Sequence, residues 1–525
     1  MIGQQPNGRD ASMQTGAGGP LGRAPRATCP PALSHYYTRR ALPRPIGSLD
    51  LCLLHFTAVF APSPVLQLIR EGPPALLAAA LGALMLLLPM TLATSQLMAL
   101  APSEGALYSW TARLLGPYWG TVVGISDWLP GLLAAVSALV SFVATLQGLK
   151  AGWLAEPWQR ELAILILLAL LLLLGWQRQR TVQRIVNTFS ALTLAIVILS
   201  GICSLVLLQQ GAWRPPSFWR PGRSLTESPR PGGSLAALLY LGYSAPLSMA
   251  GELRPGLAPG RPLLGSTLLV CSSYLLVALA ALVAPGGGPG LVLEMALGHT
   301  AGNMALVGLL AFYLCAAFVH TSACARLLFV ASLDGLLPTG LALLNRERIP
   351  WRAFVIQTLL TGIVATVLLV VLPQMSVETM GSPAVMASLL ATMTLLRLFV
   401  AFFCFYVTTL ISYQQPCPAL GASAMAPWLL RSGTVVGVAG TSLATLEILT
   451  HSWTPQLPDA SWALLVGSLV VLSISAATLA ALPATARASR LAPRLSQWLL
   501  QGEGDQQPQA KAHAQERGDL RDRDA

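Results

Sequence analysis

The chain carries a dozen stretches of about 20 predominantly apolar residues, the length an α-helix needs to cross the hydrocarbon core of a bilayer. They run over 49–69, 74–100, 119–148, 160–176, 186–209, 234–253, 263–284, 302–332, 353–372, 384–412, 429–449 and 461–482. The third, eighth and tenth exceed that length, which implies tilt or an overhang into water. Lipid offers no partner to a backbone N–H or C=O, so such a chain is confined to segments that satisfy their own hydrogen bonds. The expected fold class is an all-α polytopic membrane protein with about 12 transmembrane helices. Composition agrees, since 54% of residues are hydrophobic and 10% charged, against roughly 25% charged in a soluble domain.

The net charge of +11 does not point to nucleic acid. The arginines sit in short clusters between apolar runs, without aromatic interleaving or a basic helical stripe. Clusters such as Arg39, Arg40 and Arg44, Arg178 to Arg184, and Arg346 to Arg352 act as topology signals. They place both termini in the cytosol, with a local exception at Arg214 to Arg230 in the loop before the sixth span. The eight cysteines form no C-x-x-C pair and no zinc-type spacing, so no metal site is expected. No P-loop lysine, H-E-x-x-H or nucleophile elbow is present, so the chain is not expected to be an enzyme or to carry a cofactor. Residues 1–48 lack a signal-peptide h-region and read as a disordered cytosolic tail, as do 484–525. Between them lie a core of ten spans, 49–412, and two further spans in 413–483.

Two spans are interrupted. The first reads LHFTAVFAPSPVLQL, and Pro62 and Pro64 delete backbone donors in its middle, so the helix breaks near Phe60–Pro64. The sixth reads ALLYLGYSAPLSMAGEL and is broken by Gly242 and Pro246. Each break contains an Ala-Pro step followed by serine, and the two are five spans apart. Two five-helix repeats of opposite topology, each opening with a discontinuous helix, produce that spacing, and in such folds the unwound backbone binds a substrate near the midplane. Candidate substrate-binding residues are therefore Ala58, Val59, Phe60, Ala61, Pro62 and Ser63 in the first break, and Tyr240, Gly242, Tyr243 and Ser244 in the sixth. The two tyrosines flank Gly242, where they either meet a bound solute or pack in the bundle.

Three further stretches resemble the amino acid–polyamine–organocation (APC) superfamily of permeases. These are A-P-S-E-G-A-L-Y-S-W-T-A-R-L-L-G-P-Y-W-G (101–120), A-R-L-L-F-V-A-S-L-D-G-L-L-P (325–338) followed by I-P-W-R-A (349–353), and Gly251-Glu252 closing the sixth span. The Tyr108-x-Trp110 form is similar to the amino acid/choline permease branch. The resemblance covers about 49–412 and implies a 5+5 inverted-repeat (LeuT-like) core with two extra C-terminal helices. It implies structural or gating roles for Tyr108, Trp110, Glu252, Arg326 and Asp334, with Arg326 and Asp334 in one such contact. The chain departs from the family in two places. The glycine-rich first break is here Thr57-Ala58-Val59-Phe60-Ala61-Pro62-Ser63, and Ser244 stands where many members carry an acid.

Ionisable residues within apolar spans are functional candidates by default. They include Asp127, His55, His320, Arg397 and Glu447. For Asp127 and Glu447 an aqueous vestibule or helix end is the expectation. In the resembled fold the first and eighth spans are neighbours, so His55 or His320 could relay a proton, or simply pack. Thr321 and Ser322 fall where sodium-coupled relatives supply hydroxyl ligands, or else hold helices together. The expected function is secondary active transport of amino acids or related amines by alternating access, with H+ or Na+ as coupling ion. The partners would be a small-molecule substrate and the lipid bilayer, with the plasma membrane favoured over vacuolar or other internal membranes; the sequence carries no signal for oligomeric state. The rival readings are a major-facilitator architecture, a non-transporting solute sensor, and a choline, polyamine or GABA-type permease.

Overall fold

The structure is a computed structural model that describes residues 34, 37, 38, 41–70, 73–100, 102–150, 152–211, 239–284, 288–371, 382–414, 426–484 and 486. Among these residues it is helical throughout, with no strand and only two isolated bridges, Ile46–Leu253 and Glu104–Met249. Helices α1 (Ser48–Val59) and α2 (Pro62–Arg70) form the first, interrupted element. They are followed by α3 (Leu77–Leu100), α4 (Ala106–Leu115), α5 (Pro117–Leu149), α6 (Pro157–Trp176) and α7 (Gln179–Gln209). The sixth element is described from residue 239 onward; positions 234–238 of its expected span lie outside the described residues. After it come α8 (Gly260–Val283), α9 (Pro289–Leu297), α10 (His299–Leu333), α11 (Trp351–Val371), α12 (Ala384–Ile411), α13 (Pro427–Thr450) and α14 (Asp459–Ala484). Ten of these are long and apolar enough to cross a membrane. The protein is thus an integral multi-pass membrane protein.

Local chemistry sets several boundaries. Proline opens α5, α6, α9 and α13, where its missing N–H is an unpaired helix donor in any case. One unit occurs twice. The short α4 meets the long α5 at Gly116, φ +98°, and the short α9 meets the long α10 at Gly298, φ +94°. Only glycine adopts that backbone without strain. Four residues on, Gly120 and Gly302 let the short helix fold back. A Cβ there would fall 2.5 Å from the Ala112 Cβ and 2.7 Å from the Glu294 Cβ respectively.

Helices α10 and α12 form the centre, with 67% and 72% of their apolar windows buried, whereas α14 has 11% and faces outward. Helix α14 is anchored by Trp462, fully buried, whose indole N–H donates to the Ile448 carbonyl at 2.8 Å.

The segment before α1 is not wholly a free tail, because its described part is fastened to the bundle. Ser34 gives its backbone N–H (3.0 Å) and hydroxyl (2.9 Å) to the two carboxylate oxygens of Asp334, the residue that ends α10. Tyr108 on α4 donates to the same carboxylate at 2.8 Å. The Ile46 N–H donates to the Glu252 carbonyl at 3.2 Å, and the Arg254 N–H to the Ile46 carbonyl at 3.0 Å. A segment with few apolar residues is held here by polar contacts that composition does not reveal. Burial pushes the Asp334 carboxyl up from its ordinary pKa, against the pull of the Ser34 and Tyr108 hydrogen bonds. Asp334→Ala should strand three donors, at about 1–3 kcal/mol for each left unsatisfied. Its expected signature is loss of hydrogen-exchange protection across 34–48 and a lower melting temperature, with a smaller effect for Tyr108→Phe.

Candidate functional site

The first helix ends at Val59, Phe60 is extended (φ −69°, ψ 117°), and the chain turns helical again at Pro62. The break falls where the prolines require it. Pro62 has no N–H, so the Ala58 carbonyl loses the donor four residues on. The Ala61 N–H leaves the helical pattern as well and donates to the Tyr274 hydroxyl on α8 at 3.0 Å. That hydroxyl lies within hydrogen-bond distance of the Val59 (2.9 Å) and Leu239 (3.0 Å) carbonyls, so one phenol ties both interrupted elements together. No sequence signal had marked Tyr274.

The sixth element runs as short turns, Leu241–Tyr243, Ser244–Leu247 and Ala250–Glu252. Gly242 crosses the first break in contact, since a Cβ there would sit 1.8 Å from the Ala58 oxygen and 2.9 Å from the Val59 Cα. Its close approach is thus to the backbone of α1.

A cavity of about 210 Å3 opens at this crossing. Ala58, Val59, Phe60, Ala61, Ser63 and Gly242 line it, with residues of α5 from Leu133 to Ser141, of α10 from Phe312 to His320, and of α12 from Met386 to Met393. The wall is mainly aliphatic and aromatic. Ser63 reaches the Tyr313 hydroxyl at 2.8 Å and the Ser141 hydroxyl at 3.3 Å. Among the described residues, none that lines the cavity is Asp, Glu, Lys or Arg.

Several expected site residues lie elsewhere. Pro62 is not on the wall. Tyr240 donates to the Ala79 carbonyl (2.7 Å) and packs edge-on against Tyr274, while Tyr243 donates to the Arg397 carbonyl (3.3 Å). Ser244 faces the Arg397 guanidinium. An acid at 244 would compete with Asp127 for that arginine. His55 is bonded through Nδ1 to Ser266 on α8 at 2.9 Å and does not reach the cavity, whereas His320 does. Thr321 keeps a buried hydroxyl without a partner, and the Ser322 carbonyl accepts from Arg326 at 3.2 Å. Trp110 is buried on α4.

Beyond the cavity floor, three polar layers join the interrupted elements and the N-terminal segment to the long helices. In the first, Arg397 of α12 binds both Asp127 of α5 and Ser244. Asp127 is buried and paired, which corrects its expected place in a vestibule. In the second, Arg326 of α10 binds Glu252 through Nε (2.8 Å) and Nη2 (2.5 Å), with Glu104 at 3.7 Å. The third is Asp334 with Tyr108 and Ser34. Arg326 and Asp334 therefore do not contact each other. They stand eight residues apart on one helix, about 12 Å along its axis. The lining residues of α5 all follow Asp127, those of α12 all precede Arg397, and those of α10 all precede Arg326. The cavity is thus sealed at one end by charge and at no matching place on the other, among the described residues.

Burial, then the neighbouring Glu252 carboxylate, hold the Glu104 carboxyl well above its usual pKa despite Arg326. Two acids share one guanidinium, which favours the protonated form of Glu104. The contribution of such a group to stability falls as pH rises from the ordinary glutamate range towards its raised folded value. Glu104→Gln, permanently neutral, should lose less melting temperature than the native protein as pH rises above the ordinary glutamate range. Glu252→Gln instead strips Arg326 of its partner and should cost about 3–5 kcal/mol. Gly242→Ala should prevent assembly of the two breaks, seen as loss of a monodisperse folded species in detergent.

The cavity, the two breaks and the layers beneath them, Ser34 apart, fall within residues 46–413, which match a family model described as amino acid permease. By sequence the chain is 30% identical over 127 residues to polyamine transporter PUT1 of Oryza sativa subsp. japonica, covering 24% of this chain and 24% of that protein. The match thus spans only a quarter of that relative's length. A manganese transporter of Eremococcus coleocola, solved with an aromatic bis-isothiourea compound, has a similar fold: TM-score 0.50 at 13% identity, covering 90% of this chain and 99% of that one. A mutant of the same transporter aligns with TM-score 0.49, also at 13% identity, covering 87% and 96%. On the family match, which covers most of its length, the chain belongs to the amino acid permease family of membrane transporters.

Proposed function

We propose that the protein is a secondary active permease moving neutral amino acids or related small amines by alternating access, coupled to H+ or Na+. The observation that carries this reading is the cavity at the crossing of two interrupted helices, sealed by polar layers at one end only among the described residues. The recurrence of short helix, positive-φ glycine and long helix at α4–α5 and α9–α10 supports a 5+5 inverted repeat. Arginine placement supports cytosolic termini, and hence a cytosolic seal, with the plasma membrane as the expected site. Thr321 and Ser322 stay the candidates for sodium, and His320 for a proton.

The match to a polyamine transporter favours a second reading, a polyamine permease. The described lining argues against it: among those residues no carboxylate is present to serve as counter-charge for a desolvated polycation. Purified protein in liposomes preloaded with leucine should take up labelled leucine by counterflow, and excess leucine or alanine should compete whereas spermidine should not. Imposing a pH or a sodium gradient identifies the coupling ion. Spermidine counterflow without leucine counterflow would establish the second reading instead.

A further inference from the structure

The second polar layer does not balance its charge. Glu104 is 1% exposed, Glu252 2% and Arg326 4%, so two carboxylates meet one guanidinium away from water. Among the described residues, Arg326 is the one cation within ion-pair distance of either acid. The charged and titratable groups on the neighbouring elements are engaged elsewhere. Asp127 pairs with Arg397, Asp334 accepts from Tyr108 and Ser34, and Asp50 accepts from Asn187. Arg254 donates to the Pro45 carbonyl, and His320 lines the cavity.

The two acids are not equivalent. Glu252 accepts both Nε and Nη2 of Arg326 on its Oε1, the contact of an ionised carboxylate, and leaves Oε2 without a partner. Glu104 stands 3.7 Å from Arg326 Nε, and neither of its oxygens has a hydrogen-bond partner. Backbone contacts fix it there. The Gly105 N–H donates to the Ser248 carbonyl at 3.1 Å, and Glu104 forms a bridge with Met249. A Cβ on Gly251 would fall 2.8 Å from Glu104 Oε1, so glycine is what lets this carboxyl lie against the sixth element, next in sequence to Glu252. An ionised carboxylate left unpaired in such surroundings takes up a proton, and a second carboxylate beside it acts in the same direction. One proton balances the layer. It gives Glu104 a donor where Glu252 Oε2 is an open acceptor, and it belongs to the pair.

On the permease reading above, we propose that Glu104 and Glu252 hold one proton between them while the layer is closed and release it to water when the layer opens, so that H+ couples to transport here. The architecture links the two events. Glu104 and Glu252 stand on the same side of the layer, in the turn clasped to the sixth element and in that element itself, whereas Arg326 stands on α10. Displacement of the sixth element from α10 withdraws both acids from the guanidinium and admits water, in which carboxyls ionise at neutral pH. The proton site therefore lies outside the cavity, at its sealed end, and does not use His320. Sodium is the other monovalent ion that would balance the charge, and the measurements below separate the two.

The test uses full-length protein, first in nanodiscs and then in liposomes. Infrared spectra in sodium-free buffer at neutral pH, native minus Glu104→Gln, should show the C=O band of a protonated carboxyl. Glu252→Gln leaves one acid to one guanidinium, so subtraction of its spectrum should show the band as well. Absence of the band from the Glu104→Gln subtraction overturns the proposal. In liposomes, a gradient of one pH unit, acid on the side from which labelled leucine enters, supports up to about tenfold accumulation for one proton per cycle. In Glu104→Gln that accumulation should fall to the level seen without a gradient. Native-like accumulation by the variant overturns the proposal, as does accumulation by the native protein that follows a sodium gradient and ignores pH. The band without pH-driven accumulation would mean a structural proton, and overturns the coupling while the permease reading stands. If the native protein takes up no amino acid, the permease reading fails by itself, and the infrared band still decides whether the layer holds a proton.

Discussion

Where the two interrupted helices cross, Gly242 rests against the Ala58 carbonyl with no room for a side chain between them. Inside a bilayer an unpaired backbone group costs several kcal/mol, so a helix can be broken only where neighbours supply the lost partners. Here the compensation can be followed atom by atom. Pro62 removes the donor to Ala58; Ala61 leaves the helix, and Tyr274 takes its N–H while facing the Val59 and Leu239 carbonyls. The broken backbone, the glycine and the Tyr274 side chain form one unit, and the cavity is the space that it leaves.

The polar layers below follow a different logic. A buried ion pair adds little net stability compared with well-packed apolar residues, because desolvation offsets most of the attraction. Its use is that it stands in one arrangement or not at all. Arg397 joins α12 to α5 and to the sixth element, and Arg326 joins α10 to the same element and to the turn before α4. Each layer has the sixth element or the N-terminal segment on one side and the long helices on the other. A displacement of that element relative to the long helices therefore separates charges in at least two layers together, which favours two discrete positions over a graded one.

Much of this was legible in the sequence where the signal is local. Pro62 and Gly242 mark the breaks because proline lacks a donor and glycine lacks a Cβ, and the apolar runs mark the spans. What was hidden depends on partners distant in the chain. Asp127 reads as a vestibule residue until Arg397, 270 positions away, is placed on it. Ser244 reads as a substrate contact because the break is visible, while the arginine on its other side is not. Arg326 and Asp334 belong to one motif but face different neighbours, since eight residues of helix separate them along the axis. The N-terminal segment reads as a tail because polar anchoring leaves no apolar pattern, and Tyr274 is one aromatic residue among many in an apolar helix.

The two occurrences of the short-helix, glycine, long-helix unit bear on how such a molecule could have two faces. Their backbones agree down to the paired glycines, Gly116 with Gly120 and Gly298 with Gly302. The side chains do not agree. Glu104 stands in the turn that leads into the first unit and pairs towards Arg326, whereas Glu294 in the second unit is an exposed residue engaged with His299. Among the described residues, the same fold is thus locked by charge at one end and not at the other. In the alternating cycle proposed above, the backbone would supply two related positions, and the side chains would set which one rests closed. Ligand binding shifts such an equilibrium only by its differential affinity for the two positions. Contacts to the unwound backbone meet that requirement, because the sixth element rests on α1 at Gly242 and its displacement separates the first two layers.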